Sequence, residues 1–143
     1  MKKVVFDSSV IVKWFSDEED SDKAAQILQE ITTNHLTLVI PDVGLAEITN
    51  AIRYDKEYTQ DECQKIINKL LLLEPIIIAT KENIQTAIPL AYHFNIAIYD
   101  ALYVAISHDY DLPLITADYK HHTKSMSKNI LWLSTIHPKY LLD

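Results

Sequence analysis

The fold is decided by residues 4–11, which read VVFDSSVI, because this stretch joins a short apolar strand to the polar start of a helix. The run Val4-Val5-Phe6 consists of β-branched and aromatic residues that suit a buried strand. Asp7 ends the run, and Ser8-Ser9 can cap a short helix. The stretch therefore predicts a strand that passes directly into a helix, with one carboxylate at the junction.

Short apolar runs and longer helical patterns alternate along the rest of the chain. Further strands are predicted at 36–40, 76–79, 113–116 and 130–133, and helices at about 42–54, 60–73, 82–94 and 99–109. Pro41 is predicted to end the strand at 36–40, and Asp42 to cap the helix that follows. Alternating strands and helices of this kind build βαβ units around a parallel sheet. The sequence thus predicts an α/β protein.

Length and composition narrow the classes of function. A chain of 143 residues that is 48% apolar and 23% charged is predicted to form a single domain over residues 1–143. Gly44 is the only glycine, which argues against nucleotide cofactors because phosphate-binding loops need several. The lone Cys63 has no disulfide partner and fits a reducing cytoplasm. Because no apolar stretch reaches about 18 residues, and a carboxylate interrupts the start too soon for a signal peptide, we expect neither membrane insertion nor secretion.

Four acidic residues occupy positions that a parallel sheet would bring together. Asp7 and Asp118 each follow an apolar strand, Asp100 lies in the first turn of a predicted helix, and Glu47 lies on another helix. Ligands of α/β proteins bind at the carboxyl ends of the strands, where distant parts of the chain converge. Two carboxylates about 5 Å apart repel by roughly 3 kcal/mol at an effective dielectric of about 20. A hard divalent cation would offset that repulsion, so the pattern indicates a metal site.

Each acid also has a simpler interpretation. Asp7, Asp100 and Asp118 are each placed to cap a helix or to lie in its first turn, and Glu47 is explained by an ordinary solvated position. Capping explains one such acid well and the coincidence of several less well. For Asp100, the apolar neighbours predict burial, and an uncompensated buried carboxylate is costly.

Other features carry less information about the site. The pair His121-His122 could in principle bind a metal, but adjacent residues do not share a helix face, so the pair is interpreted as solvated. The net charge of −7 argues against a polyanionic substrate, but metal neutralisation of four acids would reduce it to about −3.

Four segments, in order along the chain, resemble the PIN-domain ribonucleases, particularly the VapC-like toxins of toxin-antitoxin systems. They are residues 4–15, 41–48, 99–105 and 112–118. The resemblance implies a three-layer α/β/α sandwich with a five-stranded parallel sheet, and an acidic pocket that binds Mg²⁺ or Mn²⁺ to hydrolyse RNA. Carried over by position, the metal ligands and catalytic residues are Asp7, Glu47, Asp100 and Asp118, supported by Ser8 and Thr116. One departure is the lack of a glycine near residues 108–112, where Asp109 and Asp111 are expected to serve the turn.

The resemblance also implies partners, namely an RNA substrate, a cognate antitoxin protein and a second copy of the chain in a homodimer. Two alternatives remain open. One is a non-catalytic PIN-like scaffold that binds RNA or protein. The other is a phosphoryl-accepting receiver domain, which usually has adjacent acids after its first strand, whereas here Asp7 is followed by serines.

Overall fold

The computed structural model describes residues 2–55 and 57–142, and within these ranges it contains one five-stranded parallel sheet. The strand order is β3-β2-β1-β4-β5. The strands are β1 (Lys2–Phe6), β2 (Leu36–Pro41), β3 (Ile76–Ile78), β4 (Leu114–Thr116) and β5 (Ile130–Trp132). The first strand is therefore central, and its pairing of Phe6 with Ile115 brings the carboxyl ends of β1 and β4 together.

Helices connect the strands and cover both faces of the sheet. They are α1 (Ser8–Ile11), which continues as a 3₁₀ turn (Val12–Phe15), α2 (Ser21–Thr32), α3 (Asp42–Arg53), α4 (Gln60–Leu72), α5 (Thr80–Phe94) and α6 (Ile98–Tyr110). A second 3₁₀ turn spans Pro138–Leu141. Among the described residues, none of the helices combines the length and apolarity needed to cross a bilayer.

Alternate residues of β1 divide the core into two layers. Val4 and Phe6 pack with residues of α1 to α4, whereas Val5 packs with Tyr103 and Val104 of α6. This alternation follows from the period of two in a strand, which directs successive side chains to opposite faces. The result is the predicted three-layer α/β/α sandwich, with α5 and α6 on one face and the other helices on the opposite face.

The helix ends have local causes. Thr59 and Glu62 form a capping box at the start of α4, and the left-handed residues Asn95 and Asp111 follow α5 and α6. Asn and Asp tolerate this conformation better than most residues other than glycine. Asp111 thus serves the turn at which a glycine was missing. Asp109 does not take part, because its carboxylate accepts hydrogen bonds from Asn83 and Thr86 of α5 instead.

Several predicted boundaries differ from the structure. The second strand includes Pro41, which pairs with Ile78; at the last strand position its missing N–H costs little. Asp42 does not cap α3, because Pro41 is the capping residue. The Asp42 carboxylate instead accepts hydrogen bonds from the hydroxyl and N–H of Thr80, which ties α3 to the start of α5. The helix expected at Asp118 is wrong, since the described chain forms turns from Tyr119 to His121.

Candidate metal and active site

Asp7 lies at the carboxyl end of β1, and its side chain points into the protein. Its backbone N–H donates to the Ile115 carbonyl at 3.0 Å, which continues the pairing of β1 with β4. Only 4% of the residue is exposed. Its Oδ2 accepts hydrogen bonds from the Ser9 Oγ at 2.5 Å and from the Thr116 Oγ1 at 3.1 Å. Within the described chain this carboxylate makes no capping bond to α1, so the capping interpretation of the Asp7 side chain is wrong.

His122 lies beside Asp7 and is completely buried. Its Nδ1 lies 3.0 Å from the Thr116 Oγ1 and 3.6 Å from the Asp7 Oδ2, and its Nε2 lies 3.0 Å from the carbonyl oxygen of Asp100. The interpretation of His121-His122 as a solvated pair is therefore wrong for His122. Adjacent residues in this turn point in different directions, and His121 lies 3.0 Å from a carboxylate oxygen of Asp118.

The hydrogen-bond pattern defines the protons on His122. Its Nε2 faces a carbonyl oxygen, which only accepts, so this nitrogen carries a proton. The Thr116 hydroxyl donates its single proton to Asp7, and its oxygen accepts from the Asp118 N–H at 3.0 Å. The remaining lone pair of the hydroxyl suits a donor at Nδ1. All contacts are satisfied when both ring nitrogens carry protons, as in an imidazolium.

The pKa values of Asp7 and His122 agree with this assignment. Burial raises the pKa of Asp7, but the hydrogen bond and charge of His122, with the hydroxyls of Ser9 and Thr116, outweigh burial and hold it below its ordinary value. Burial likewise lowers the pKa of His122, but the hydrogen bond and charge of Asp7, with further contributions from Asp100, raise it to about 8. The two side chains form a buried ion pair at neutral pH.

Stability should depend on pH through this pair. Because the pKa of His122 is raised from 6.5 to about 8 on folding, its stabilisation is complete below about pH 6.5 and is lost as the pH rises through 8. The expected loss is about 2 kcal/mol, measured as the free energy of urea unfolding at pH 6 and pH 9. His122→Phe should remove this dependence, whereas the exposed-residue variant His93→Gln should keep it. A wild-type curve that matches His122→Phe across this range would contradict the ion pair.

Glu47 lies in the middle of α3 rather than at a strand end, and it is half-buried. Its Oε1 accepts a hydrogen bond from the Tyr103 hydroxyl at 3.0 Å, so it is not the solvated glutamate of the simpler interpretation. Burial raises the pKa of Glu47, and the negative charges of Asp7 and Asp100 raise it further against the opposing effect of Tyr103. The charges of Asp7 and Asp100 affect Glu47 because the three carboxylates face the same edge of the sheet.

Asp100 and Asp118 complete the group. Asp100 is the third residue of α6 and is half-buried. Burial raises its pKa, and the charges of Asp7 and Asp118 raise it further, although both histidines oppose this shift. Asp118 follows β4, and its Oδ1 accepts the N–H of His121 at 3.2 Å, so for Asp118 the local-capping interpretation holds within a turn. Each of the four predicted acids thus lies within electrostatic reach of at least one other.

The supporting residues differ partly from those predicted. Thr116 contacts Asp7, but Ser9 rather than Ser8 forms the serine hydrogen bond to this carboxylate. Ser9 also accepts the N–H of Ala117, which fastens α1 to the end of β4. Sequence reasoning missed Tyr103, although its position three residues after Asp100 places both side chains on neighbouring positions of one helix face. It also missed His122, for which the sequence offers no comparable signal.

Gly44 makes room for the contact between Tyr103 and Glu47. A Cβ at this position would lie 2.7 Å from the Tyr103 hydroxyl and 3.3 Å from the Pro41 Cδ. Only a residue without a side chain fits beside both, because the tyrosine ring is fixed in the buried core. The single glycine of the chain therefore serves the site rather than a turn.

Gly44→Ala should destabilise the protein, although the same change inside a helix usually stabilises it by about 0.5–1 kcal/mol. Displacement of Tyr103 should outweigh this gain, at a cost of about 1–3 kcal/mol in the free energy of urea unfolding. The double variant Gly44→Ala with Tyr103→Phe lacks the clashing hydroxyl and should be more stable than the sum of the two single changes predicts. An alanine variant as stable as the wild type would contradict the packing described above.

The donor set suits a hard divalent cation. Carboxylate oxygens are the ligands that such ions prefer. Burial raises the pKa of Glu47 and of Asp100, and the negative charges of neighbouring acids, which a cation would offset, raise both further. As the side chains lie, no three His, Cys, Asp or Glu residues of ranges 2–55 and 57–142 are arranged to hold an ion. Asp7, in particular, is engaged by Ser9, Thr116 and His122. The residues therefore fit a metal by their chemistry, and ligation would require side-chain adjustment.

Comparisons with solved structures show a shared fold. PAE2754 from Pyrobaculum aerophilum is 16% identical, with a TM-score of 0.71 over 98% of this chain and 89% of that one. A chain of a toxin-antitoxin complex from Klebsiella pneumoniae is 16% identical, with a TM-score of 0.65 over 94% and 97% of the two chains. VapBC2 from Rickettsia felis, bound to a DNA fragment from its promoter, gives 15% identity and a TM-score of 0.64 over 91% and 96%.

Comparisons of sequence place the chain in a family. No curated protein matches the sequence significantly. The model of the PIN domain family, however, matches residues 4–125, which include all four acids. With the strand order, the three layers and the acidic sheet edge described above, this match over most of the sequence shows that the chain belongs to the PIN domain family.

Proposed function

We propose that the protein is a divalent-metal-dependent endoribonuclease, with Mg²⁺ or Mn²⁺ as its cofactor. PIN domains are generally metal-dependent nucleases. The observation that carries the proposal is the group of four carboxylates at one sheet edge, where burial raises the pKa of Glu47 and Asp100 and the negative charges of neighbouring acids raise it further. Such repulsion stabilises nothing in the empty protein, but it favours the binding of a multivalent cation.

The four acids Asp7, Glu47, Asp100 and Asp118 would hold the ion or orient water beside it. Such an ion, when bound, would act as a Lewis acid that offsets charge on the scissile phosphate and lowers the pKa of a bound water. The chain itself contributes orientation, since the Ser9 and Thr116 hydroxyls hold one face of Asp7 and Tyr103 holds Glu47.

We further propose that the nuclease is the toxin of a toxin-antitoxin pair, acting on RNA in the cytoplasm as a homodimer restrained by a cognate antitoxin. Support comes from the fold, because similar structures include a toxin-antitoxin complex and VapBC2. In this proposal the whole chain, residues 1–143, forms one PIN domain, of which the family match covers residues 4–125.

The proposal is tested by incubating the purified chain with end-labelled RNA, and with DNA of the same sequence, in excess Mg²⁺. We expect internal cleavage of RNA and little cleavage of DNA. RNA that is bound and left intact would favour the scaffold alternative. Covalent labelling by acetyl phosphate would favour a receiver domain, and either result would reject the nuclease.

A further inference from the structure

His122 connects the segments that carry three of the four acids. Its ring contacts Thr116 and Asp7 through Nδ1 and the backbone oxygen of Asp100 through Nε2. Its backbone N–H donates to the Asp118 carbonyl at 3.0 Å, and its carbonyl accepts the indole N–H of Trp132 at 3.0 Å. The residue is therefore fixed on every polar atom, between the ends of β1 and β4 and the first turn of α6.

The imidazole ring also contacts Tyr103, the residue that holds the fourth acid, Glu47. Tyr103 packs edge-on against the imidazole, with ring centroids 5.9 Å apart, and its hydroxyl donates to Glu47. The residues that face the imidazole are thus Asp7 from β1, Thr116 from β4, and Asp100 and Tyr103 from α6. One buried side chain therefore contacts the ends of β1 and β4 and the start of α6, and reaches Glu47 on α3 only through Tyr103.

Core packing alone does not account for a histidine here. An apolar ring of similar size would fill the space without the cost of burying two polar nitrogens, which is recovered only through hydrogen bonds. Both ring nitrogens form their hydrogen bonds within the site. Nδ1 faces Thr116 and Asp7, and Nε2 donates to the backbone oxygen of Asp100 in the first turn of α6. The two polar nitrogens of His122 therefore help to hold the acids in their arrangement.

We propose that His122 is a positioning residue, whose side chain sets the spacing of Asp7 and Asp100 so that they can bind the divalent ion together with Asp118. This inference rests on the proposed nuclease function, because it assigns these acids to one metal site. His122 itself touches neither substrate nor ion in this scheme. Partners that orient metal ligands typically affect metal affinity or activity by 10- to 100-fold, and we expect effects of about that size.

The test compares His122→Phe, which keeps a ring against Tyr103 and loses both hydrogen bonds, with His122→Gln, whose amide can restore one of them. Mn²⁺ affinity is measured by calorimetry, and kcat and KM are measured with RNA. For His122→Phe we expect Mn²⁺ binding weakened and kcat lowered by about 10- to 100-fold, with KM for RNA within about twofold of wild type. His122→Gln should fall between the two. The matched control His93→Phe, at an exposed position on α5, should behave as wild type in each measurement.

A variant that is merely less stable is distinguished by its melting curve and by rescue. If His122→Phe does not fold, His122→Gly is used, and added imidazole should then restore part of its Mn²⁺ affinity and kcat. Wild-type Mn²⁺ affinity in folded His122→Phe, a loss confined to KM, or the failure of imidazole to restore either quantity would overturn the proposal. If the wild-type chain binds Mn²⁺ and leaves RNA intact, the nuclease function fails, and the Mn²⁺ affinities alone still decide the role of His122.

Discussion

Asp7→Asn should lower kcat for RNA cleavage by about a thousandfold, the size expected when one preorganised charged group of an active site is removed. Asp7 is the most buried of the four acids and lies at the centre of the sheet edge. Asparagine keeps its shape and accepts hydrogen bonds from Ser9 and Thr116, but it lacks the negative charge that a divalent ion requires. The variant should therefore bind metal poorly and cleave RNA at background rates.

The fold should survive this substitution. Without the charge of Asp7, His122 is expected to lose its raised pKa and become neutral at pH 8, so no unpaired buried charge remains. Circular dichroism and thermal melting will show whether Asp7→Asn keeps the fold. The matched control is Asp61→Asn, since Asp61 forms an exposed i,i+4 pair with Lys65 on α4, and such pairs contribute little. Normal cleavage by Asp7→Asn, or equal losses in both variants, would remove Asp7 from the active site.

Removal of divalent metal should abolish cleavage altogether. In excess EDTA the four carboxylates lose the cation that offsets their repulsion, and the scissile phosphate loses a charge stabilisation worth several kcal/mol. Activity should return on addition of Mg²⁺ or Mn²⁺ in excess of the chelator. Undiminished cleavage in EDTA would reject the proposed chemistry, whatever the outcome of the substitutions.

Metal binding has a second measurable effect, because a ligand that binds only the folded state stabilises it. At an ion concentration of about 100 times Kd, the stabilisation should be about 2.7 kcal/mol, visible as a rise in Tm. Asp100→Asn should remove most of that rise while leaving the melting curve without metal close to wild type, since Asp100 is only half-buried. If Mg²⁺ and Mn²⁺ leave the Tm of the wild-type protein unchanged, that result would argue against a metal site at these acids.

Much of the fold was predictable because its strands and helices follow from sequence patterns over a few neighbouring residues. The apolar run 4–6 and the alternation of strands with helices indicated a parallel α/β sheet, and the structure confirms all five strands with ends shifted by at most two residues. The errors fell where local rules compete. Pro41 signals a strand end but sits at the last paired position, and Asp118 resembles a helix cap but opens a series of turns.

The candidate site was predictable only in part. Asp7, Asp100 and Asp118 follow from residue type and from their place beside strand ends and helix starts. Glu47 lies in the middle of a helix and was assigned through the resemblance to PIN-domain ribonucleases. Tyr103 looked like one apolar position among many, and Gly44 gave no sign of the hydroxyl that it accommodates. His122 was interpreted as solvated, because adjacent histidines do not share a helix face on which they could bind a metal together.

The sequence by itself determined the order of strands and helices and which acids stand at their ends, because periodicity and turn residues act over a few neighbouring positions. Only the tertiary structure decided which hydroxyl, which tyrosine and which histidine hold those acids. These contacts join residues up to 109 positions apart, from Asp7 to Thr116. Their existence depends on the register of β1 against β4 and on the packing of α6 across the sheet, and no local pattern encodes that register.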